Sequence, residues 1–202
     1  MPVSRSRARK IAAVAIAGAV ASVTWLTTQS ANAAADHLII NEVYGGGGNT
    51  NAPYTNDFVE LYNPTSAPID LAGYKLTYYS ASGNSGGTCT LTGSIAPGSY
   101  YLAQQGGGAT GQPLPTADVV CGLNMSGSNG SVELSSPAGV VDLVGYGTAS
   151  KREGAAGAPG LNNSTSASRT NFVDTDNNAA DFTAGAPTPQ NSAAGSSSPV
   201  ST

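Results

Sequence analysis

The sequence predicts an all-β chain, an antiparallel β-sandwich of immunoglobulin-like character, on three observations. About eight short apolar runs fall within roughly 110 residues, separated by turn chemistry and with no convincing helix between them. Glycine is abundant at 26 residues while charged residues make up only 10% of the chain, so long amphipathic helices are not supported. Tyrosine outnumbers phenylalanine, nine to three, a mix suited to half-buried pleated surfaces. A closed barrel is the structural alternative.

The elements follow in order. "HLIINEVY" from His37 gives a first strand, and "GGGGNTNAPYTN" is a long loop. "DFVELYN" alternates with period two, placing Val59 and Leu61 on one face and Phe58, Glu60 and Tyr62 on the other. Pro64 and Pro68 bracket a turn, because proline cannot donate to a central ladder. The runs "IDLAGYKLTYYS", "TCTLTGSI", "SYYLAQQ", "DVVCGL", "GSVELSS" and "VVDLVGY" supply the remaining strands. Beyond Tyr146, "GTASKREGAAGAPGLNNSTSASRT" reads as a loop with room for one helical turn. "NFVDTDNNAADF" restores Phe172, Val173 and Phe182 and is expected to pack back on the sandwich. The predicted domain therefore spans residues 34–190, with a core over 37–149 and a closing segment over 150–190. Residues 191–202, rich in Ser, Ala and Pro, read as a disordered tail.

Residues 1–33 are of another kind. Arg5, Arg7, Arg9 and Lys10 precede an Ala/Val/Ile-rich run and then Ala31-Asn32-Ala33, the order of a secretory signal peptide with cleavage after Ala33. The alternative, a membrane anchor, suits a short run interrupted by Gly18 and Ser22 less well. Removal of this leader leaves Lys75, Lys151, Arg152 and Arg169 against twelve acidic residues, a formal charge of -8. Such a surface repels phosphate backbones and the four cations form no stripe, so nucleic acid is not an expected partner of the module alone. In an exported chain Cys89 and Cys121 read as a disulfide; two free buried thiols are the alternative.

Four stretches carry a resemblance. "LIINEVY" at 38–44, "DFVELYNPTSAPIDLAGYKL" at 57–76, "GSVELSSPAGVVDLVGYG" at 130–147 and "SRTNFVDTDNNAADFTAGAPTP" at 168–189 resemble the lamin-tail domain family in its secreted bacterial form. The resemblance implies an immunoglobulin-like sandwich used as an accessory or interaction module. In exported relatives such a module often precedes a catalytic domain of the endonuclease/exonuclease/phosphatase type, whereas this chain reaches Thr202 where that domain would begin. It is expected to be either a standalone module or a truncated relative of the nuclease form. Within the strongest stretch, Leu71 re-enters the core, Gly73 allows the bend that lets Tyr74 pack, and Glu60 either pairs with Lys75 or accepts backbone N–H donors.

Candidate chemistry is sparse, and no enzyme is expected. "GNSGG" at 83–87 matches a nucleophile pattern, but Ser85 needs a histidine base and a carboxylate, and His37 is the only histidine. Residues 45–48 follow a strand without the Lys-Ser/Thr or helix of a phosphate loop, and read as a plain loop. Asp174, Asp176, Asn178 and Asp181 offer hard oxygens at close spacing, as calcium prefers, yet lack the glycine and distal glutamate of an EF-hand; such side chains also cap turns. No carboxylate cluster with a histidine is apparent, because the acidic residues are dispersed singly. Two cysteines and one histidine are too few for a zinc site. Tyr54, Tyr78, Tyr79, Tyr100 and Tyr101 are either a sugar-stacking surface or strand residues with half-buried rings. The function expected is thus that of a secreted, non-catalytic module for extracellular binding or positioning, with an unidentified ligand such as a polysaccharide or a protein, no stable membrane anchor after cleavage, and no cofactor other than a candidate calcium.

Overall fold

The computed structural model describes residues 34–195. The predicted leader and the last seven residues of the predicted tail lie outside the described residues.

The chain forms β1 (Ile39–Tyr44), β2 (Asn56–Tyr62), β3 (Ile69–Asp70), β4 (Lys75–Ser80), β5 (Ser85–Thr90), β6 (Ser94–Ile95), β7 (Tyr100–Gly107), β8 (Val119–Val120), β9 (Gly130–Ser136), β10 (Gly139–Tyr146), β11 (Ser166–Arg169), the single helical turn α1 (Asn178–Asp181) and β12 (Phe182–Gly185). One sheet runs β12-β11-β1-β2-β7-β8, a second runs β10-β9-β4-β5, and β3 pairs with β6. Every named strand pair is antiparallel except the short β7–β8 contact. The fold is the antiparallel, immunoglobulin-like sandwich that the spacing of apolar runs predicts.

The core lies between the two sheets. Ile40, Val43, Val59, Leu61 and Ala103 from the larger sheet, with Leu38 just before β1, meet Leu76, Tyr78, Val132, Leu134, Val144 and Tyr146 from the smaller. Leu71, Leu91 and Ile95 close one end, and Tyr74 packs against them after Gly73, whose φ of 80° suits glycine.

Both faces of the larger sheet are buried, which the alternation in β2 does not announce. Its outer face carries two aromatic clusters, one of Tyr44, Phe58 and Leu102 under Tyr54 and Leu114, the other of Ile39, Tyr62 and Tyr100 under Phe172. Phe172 stacks on Tyr62 with ring centroids 3.9 Å apart. Glu42 and Glu60 lie between these clusters. A register shift between Ile40 and Glu42 leaves Asn41 as a bulged residue, and that extra residue turns Glu42 outward to stand opposite Glu60.

Three expectations are corrected here. β11 and β12 form within stretches read as loop or closing segment, because "SASR" and "FTAG" carry small residues and no apolar alternation; the helical turn falls at 178–181 instead of within 147–170. Ser85, Gly86 and Gly87 belong to β5 and not to a flexible loop. Asn191 and Ser192, assigned to the tail, are held by hydrogen bonds to Thr116 and Asp118.

Candidate functional site

Four elements converge on Arg169, at the end of β11, where its side chain is fully buried. Its Nε donates to the Ile40 carbonyl at 2.9 Å and one terminal nitrogen grips both oxygens of Asp142 on β10 at 2.7 and 2.9 Å. The other terminal nitrogen donates to the Val173 carbonyl and lies 3.1 Å from Asp174 and 3.5 Å from Asp181. Its guanidinium also lies over the Phe182 ring, 4.5 Å from the centroid. A planar five-donor fork suits such a junction, since an ammonium could not address three carboxylates and two carbonyls at once.

His37 joins the same cluster. Its Nε2 lies 3.0 Å from Asp174 and its Nδ1 3.2 Å from Asp36. The bond to Asp174 lifts His37 to about 9 despite partial burial. Burial works to raise Asp174, but His37 and the Arg169 charge outweigh it and hold the carboxyl at about 2. Asp142, wholly buried, is pushed up by desolvation to about 6 against the pull of Arg169, so it is still ionised at neutral pH. Glu153 goes to about 8, through burial and then the charges of Asp142 and Asp174. At neutral pH, therefore, Glu153 carries a proton while two cations face Asp142 and Asp174.

The expectation of singly dispersed carboxylates is corrected: tertiary structure gathers Asp142, Glu153, Asp174 and Asp181 with His37 and Arg169. One oxygen each from Asp142, Glu153 and Asp174 lies within 4.8 Å of the others, a grouping that could accept a cation. Arg169 and His37 already sit against two of the three. The proposed calcium set is not brought together as a ligand sphere. Asp181 uses both oxygens to hold Thr175. Asn178 spans the β10 edge, accepting from the Gly145 and Glu153 amides and donating to the Leu143 carbonyl and to Glu153. Asp176 is exposed at a φ of 52°, its amide bonded to Asp174. Of the predicted set, only Asp174 belongs to the grouping with Asp142 and Glu153. These short side chains do the turn work that was the other reading of the run.

The remaining candidates separate widely. Cys89 and Cys121 form the disulfide, with Cα atoms 5.4 Å apart, joining the β5 edge of one sheet to the segment after β8 at the edge of the other. Ser85 is exposed and accepts from the Gly87 amide, while both ring nitrogens of His37 are engaged by aspartates, so no nucleophile pair forms. Residues 45–47 are buried in a knot of backbone. A Cβ on Gly47 would stand 2.0 Å from the Asn56 carbonyl carbon, and Asp57 accepts the Gly47 and Met125 amides. The tyrosines form no common surface: Tyr78 and Tyr101 face the core, Tyr100 and Tyr54 belong to separate outer clusters, and Tyr79 lies under Lys151. Glu60 does not meet Lys75, which is exposed on the other sheet; it accepts from the Asn41 side chain at 2.7 Å and from the Gln190 amide at 2.6 Å. Burial drives Glu60 up to about 8.

Sequence reasoning missed Arg169, Asp142 and Glu153. One signal was present: Arg169 is one of four basic residues beyond position 33, set in an acid-rich stretch, and a lone cation among carboxylates in a β-rich chain is a candidate buried partner.

Two packed antiparallel sheets, tied covalently at one edge and by a buried ion pair at the other, define an immunoglobulin-like β-sandwich module. A family model for the Lamin Tail Domain matches residues 31–148, and the chain belongs to that family. No curated protein matches the chain. The matched residues end before β11, α1 and β12, so Arg169 and its partners in 169–181 come from the segment that follows.

Proposed function

We propose that this chain is a non-catalytic module that binds or positions another molecule outside the cell. The observation that carries this reading is the state of its ionisable cluster. Arg169 is wholly buried with its donors directed at carbonyls and carboxylates, and Asp142 accepts from both Arg169 and the Ile40 amide. A catalytic carboxylate needs reach to a substrate and a hydrogen bond to spare. Here the charges are engaged in joining β10, β11 and the N-terminal end of β1. Membership of the family supports the role of accessory module, and the leader-like pattern of residues 1–33 with the Cys89–Cys121 disulfide supports an extracellular setting. Among the described residues no helix is long and apolar enough to cross a membrane.

The test is direct. Purified chain lacking residues 1–33, incubated with DNA and with phosphoesters in the presence of magnesium, manganese or calcium, is expected to leave them intact; reproducible cleavage that disappears in Asp142→Asn or Asp174→Asn would overturn the reading. A screen against glycans, cell-wall polysaccharides and extracellular proteins identifies the ligand class.

A further inference from the structure

The outer face of the larger sheet holds a second arrangement of charge, distinct from the Arg169 cluster. After β12 the chain turns and crosses the strands. The Thr188 amide donates to Glu42 on β1 at 2.9 Å, the Gln190 amide to Glu60 on β2 at 2.6 Å, and the Ser192 amide to Asp118 at 3.0 Å. Asp118 is itself fixed to β7, accepting from the Leu102 amide at 2.8 Å, and Leu102 is the register partner of Glu60. Three carboxylates thus form a row across neighbouring strands, and they take the N–H groups of residues i, i+2 and i+4 of one segment.

The intervening residues fit this spacing. Positions 187 and 189 are prolines, both buried, with no N–H to leave unpaired on the far side, while the next alternate position is Asn191, whose side chain donates to the Thr116 carbonyl. Alternating proline also favours an extended conformation of about 3.1 Å per residue, so that two residues advance about 6 Å, enough to cross obliquely between strands about 4.8 Å apart. The aromatic clusters flank the row on either side. The fit is incomplete at one point: Asn41, buried and bonded to Glu60 through its Nδ2, leaves its Oδ1 as the one buried side-chain polar atom without a partner among the described residues. The seated segment brings no donor to it, so the row has more capacity to accept than its own occupant uses.

We propose that residues 187–192 are a releasable strap, and that the row of Glu42, Glu60 and Asp118 with Asn41 is a docking face for an extended peptide in which proline alternates with hydrogen-bonding residues, occupied in cis by the strap until a competing segment displaces it. The inference rests on the reading of the chain as a binding module and names a partner chemistry for it. Recognition is chiefly of backbone: acceptors fixed on a rigid sheet read N–H groups at every second residue, the Thr188 and Ser192 hydroxyls add bonds to Glu42 and Asp118, and proline beside them lowers the entropy lost on docking.

Amide exchange of the mature chain, followed residue by residue, tests the strap. The Thr188, Gln190 and Ser192 amides are expected to exchange through local opening, faster than those of Val59 and Leu61 in the middle of β2. Gln190→Pro removes the N–H that Glu60 accepts and is expected to speed exchange of the Thr188 and Ser192 amides by about tenfold or more while leaving β2 unchanged. Ser192→Pro, at the more exposed end of the segment, serves the same purpose if Gln190→Pro fails to fold. A labelled, end-blocked peptide of residues 186–193 should then bind the opened variant saturably, and bind the unaltered chain only near about 1 mM, where it competes with a short tether. The same peptide carrying Thr188→Pro, Gln190→Pro and Ser192→Pro should not bind. Strap amides that open only with β2, or an opened variant that ignores the peptide or takes both peptides equally, would overturn the proposal. Neither result touches the wider binding role, which the ligand screen decides.

Discussion

Arg169 shows how much of this fold rests on one side chain. Its removal would leave Asp142, Asp174 and Asp181 in a buried site without their cation, and breaking a buried pair in this way costs about 3–5 kcal/mol. Arg169→Met is therefore expected to lower the free energy of unfolding by that amount in a urea titration, and Arg169→Lys to recover only part of it, because an ammonium cannot reproduce the fork. If Arg169→Met were neutral, the cluster would not be the tie described above. Gly47→Ala is expected to be damaging for a steric reason: the added Cβ would fall within the Asn56–Asp57 peptide, which cannot withdraw without moving β2. A loss of at least about 1–3 kcal/mol, in the range of overpacked cores, is expected for this single methyl group.

At the level of elements, the sandwich is closed from both sides. The disulfide joins β5 to the segment beyond β8 at one edge of the two sheets, while Arg169 on β11 holds Asp142 on β10 at the other. With a separation of 32 residues between the cysteines, the chain-entropy model assigns the disulfide about 4 kcal/mol through restriction of the unfolded chain. Cys89→Ser with Cys121→Ser should lower stability by up to that figure and leave the NMR chemical shifts of core residues away from positions 89 and 121 unchanged. A loss of native packing in the double serine variant would show instead that the bond shapes the edge strands. α1 contributes through Asn178, whose amide completes β10 where no further strand pairs with it among the described residues; Asn178→Ala is expected to free that edge and cost about 1–3 kcal/mol for the donors and acceptors left unmet.

For the molecule as a whole, the unusual property is the number of carboxyls raised by burial: Asp142 to about 6, Asp57 to about 7, Glu60 and Glu153 to about 8. Each holds its proton in the folded chain over a range where the unfolded chain has released it. The stability each provides is complete below about pH 4 and is lost as pH rises through the folded value. His37, raised to about 9, acts in the same direction, its contribution present below about 6.5 and lost through 9. Asp174 opposes them, since its depressed value gives stability that is present above about 4 and lost as pH falls toward 2. The melting temperature should accordingly peak near about pH 4–5 and be lower at pH 9 by more than about 5 °C, a difference of about 2 kcal/mol for a chain of this size. Glu60→Gln, which fixes the neutral form, should flatten that slope. A profile rising from pH 5 to 9 would contradict the assignment. Calcium or a chelator is expected to leave the melting temperature within about 1 °C, because Arg169 and His37 already face Asp142 and Asp174; a shift larger than that would make the Asp142, Glu153 and Asp174 grouping a metal site.

Local signals were enough to specify the fold class, most of the strands and the cysteine pair: period-two alternation in "DFVELY", prolines and glycines at the turns, and two lone cysteines beside strands. They gave no sign of β11 and β12, whose small residues become strands only because β1 offers an unpaired edge. They placed Val59 and Leu61 in the core correctly but could not show that Phe58, Glu60 and Tyr62 are buried too, since the cover comes largely from distant segments, Leu114 over Phe58, Phe172 over Tyr62 and Gln190 on Glu60. Which carboxylates meet is a matter of three-dimensional packing. Asp142, Asp174 and Asp181 converge on Arg169 because the sandwich brings β10 against β1, which β11 pairs, and a distance fixed by the stacking of two sheets leaves no trace in the spacing of residues along the chain.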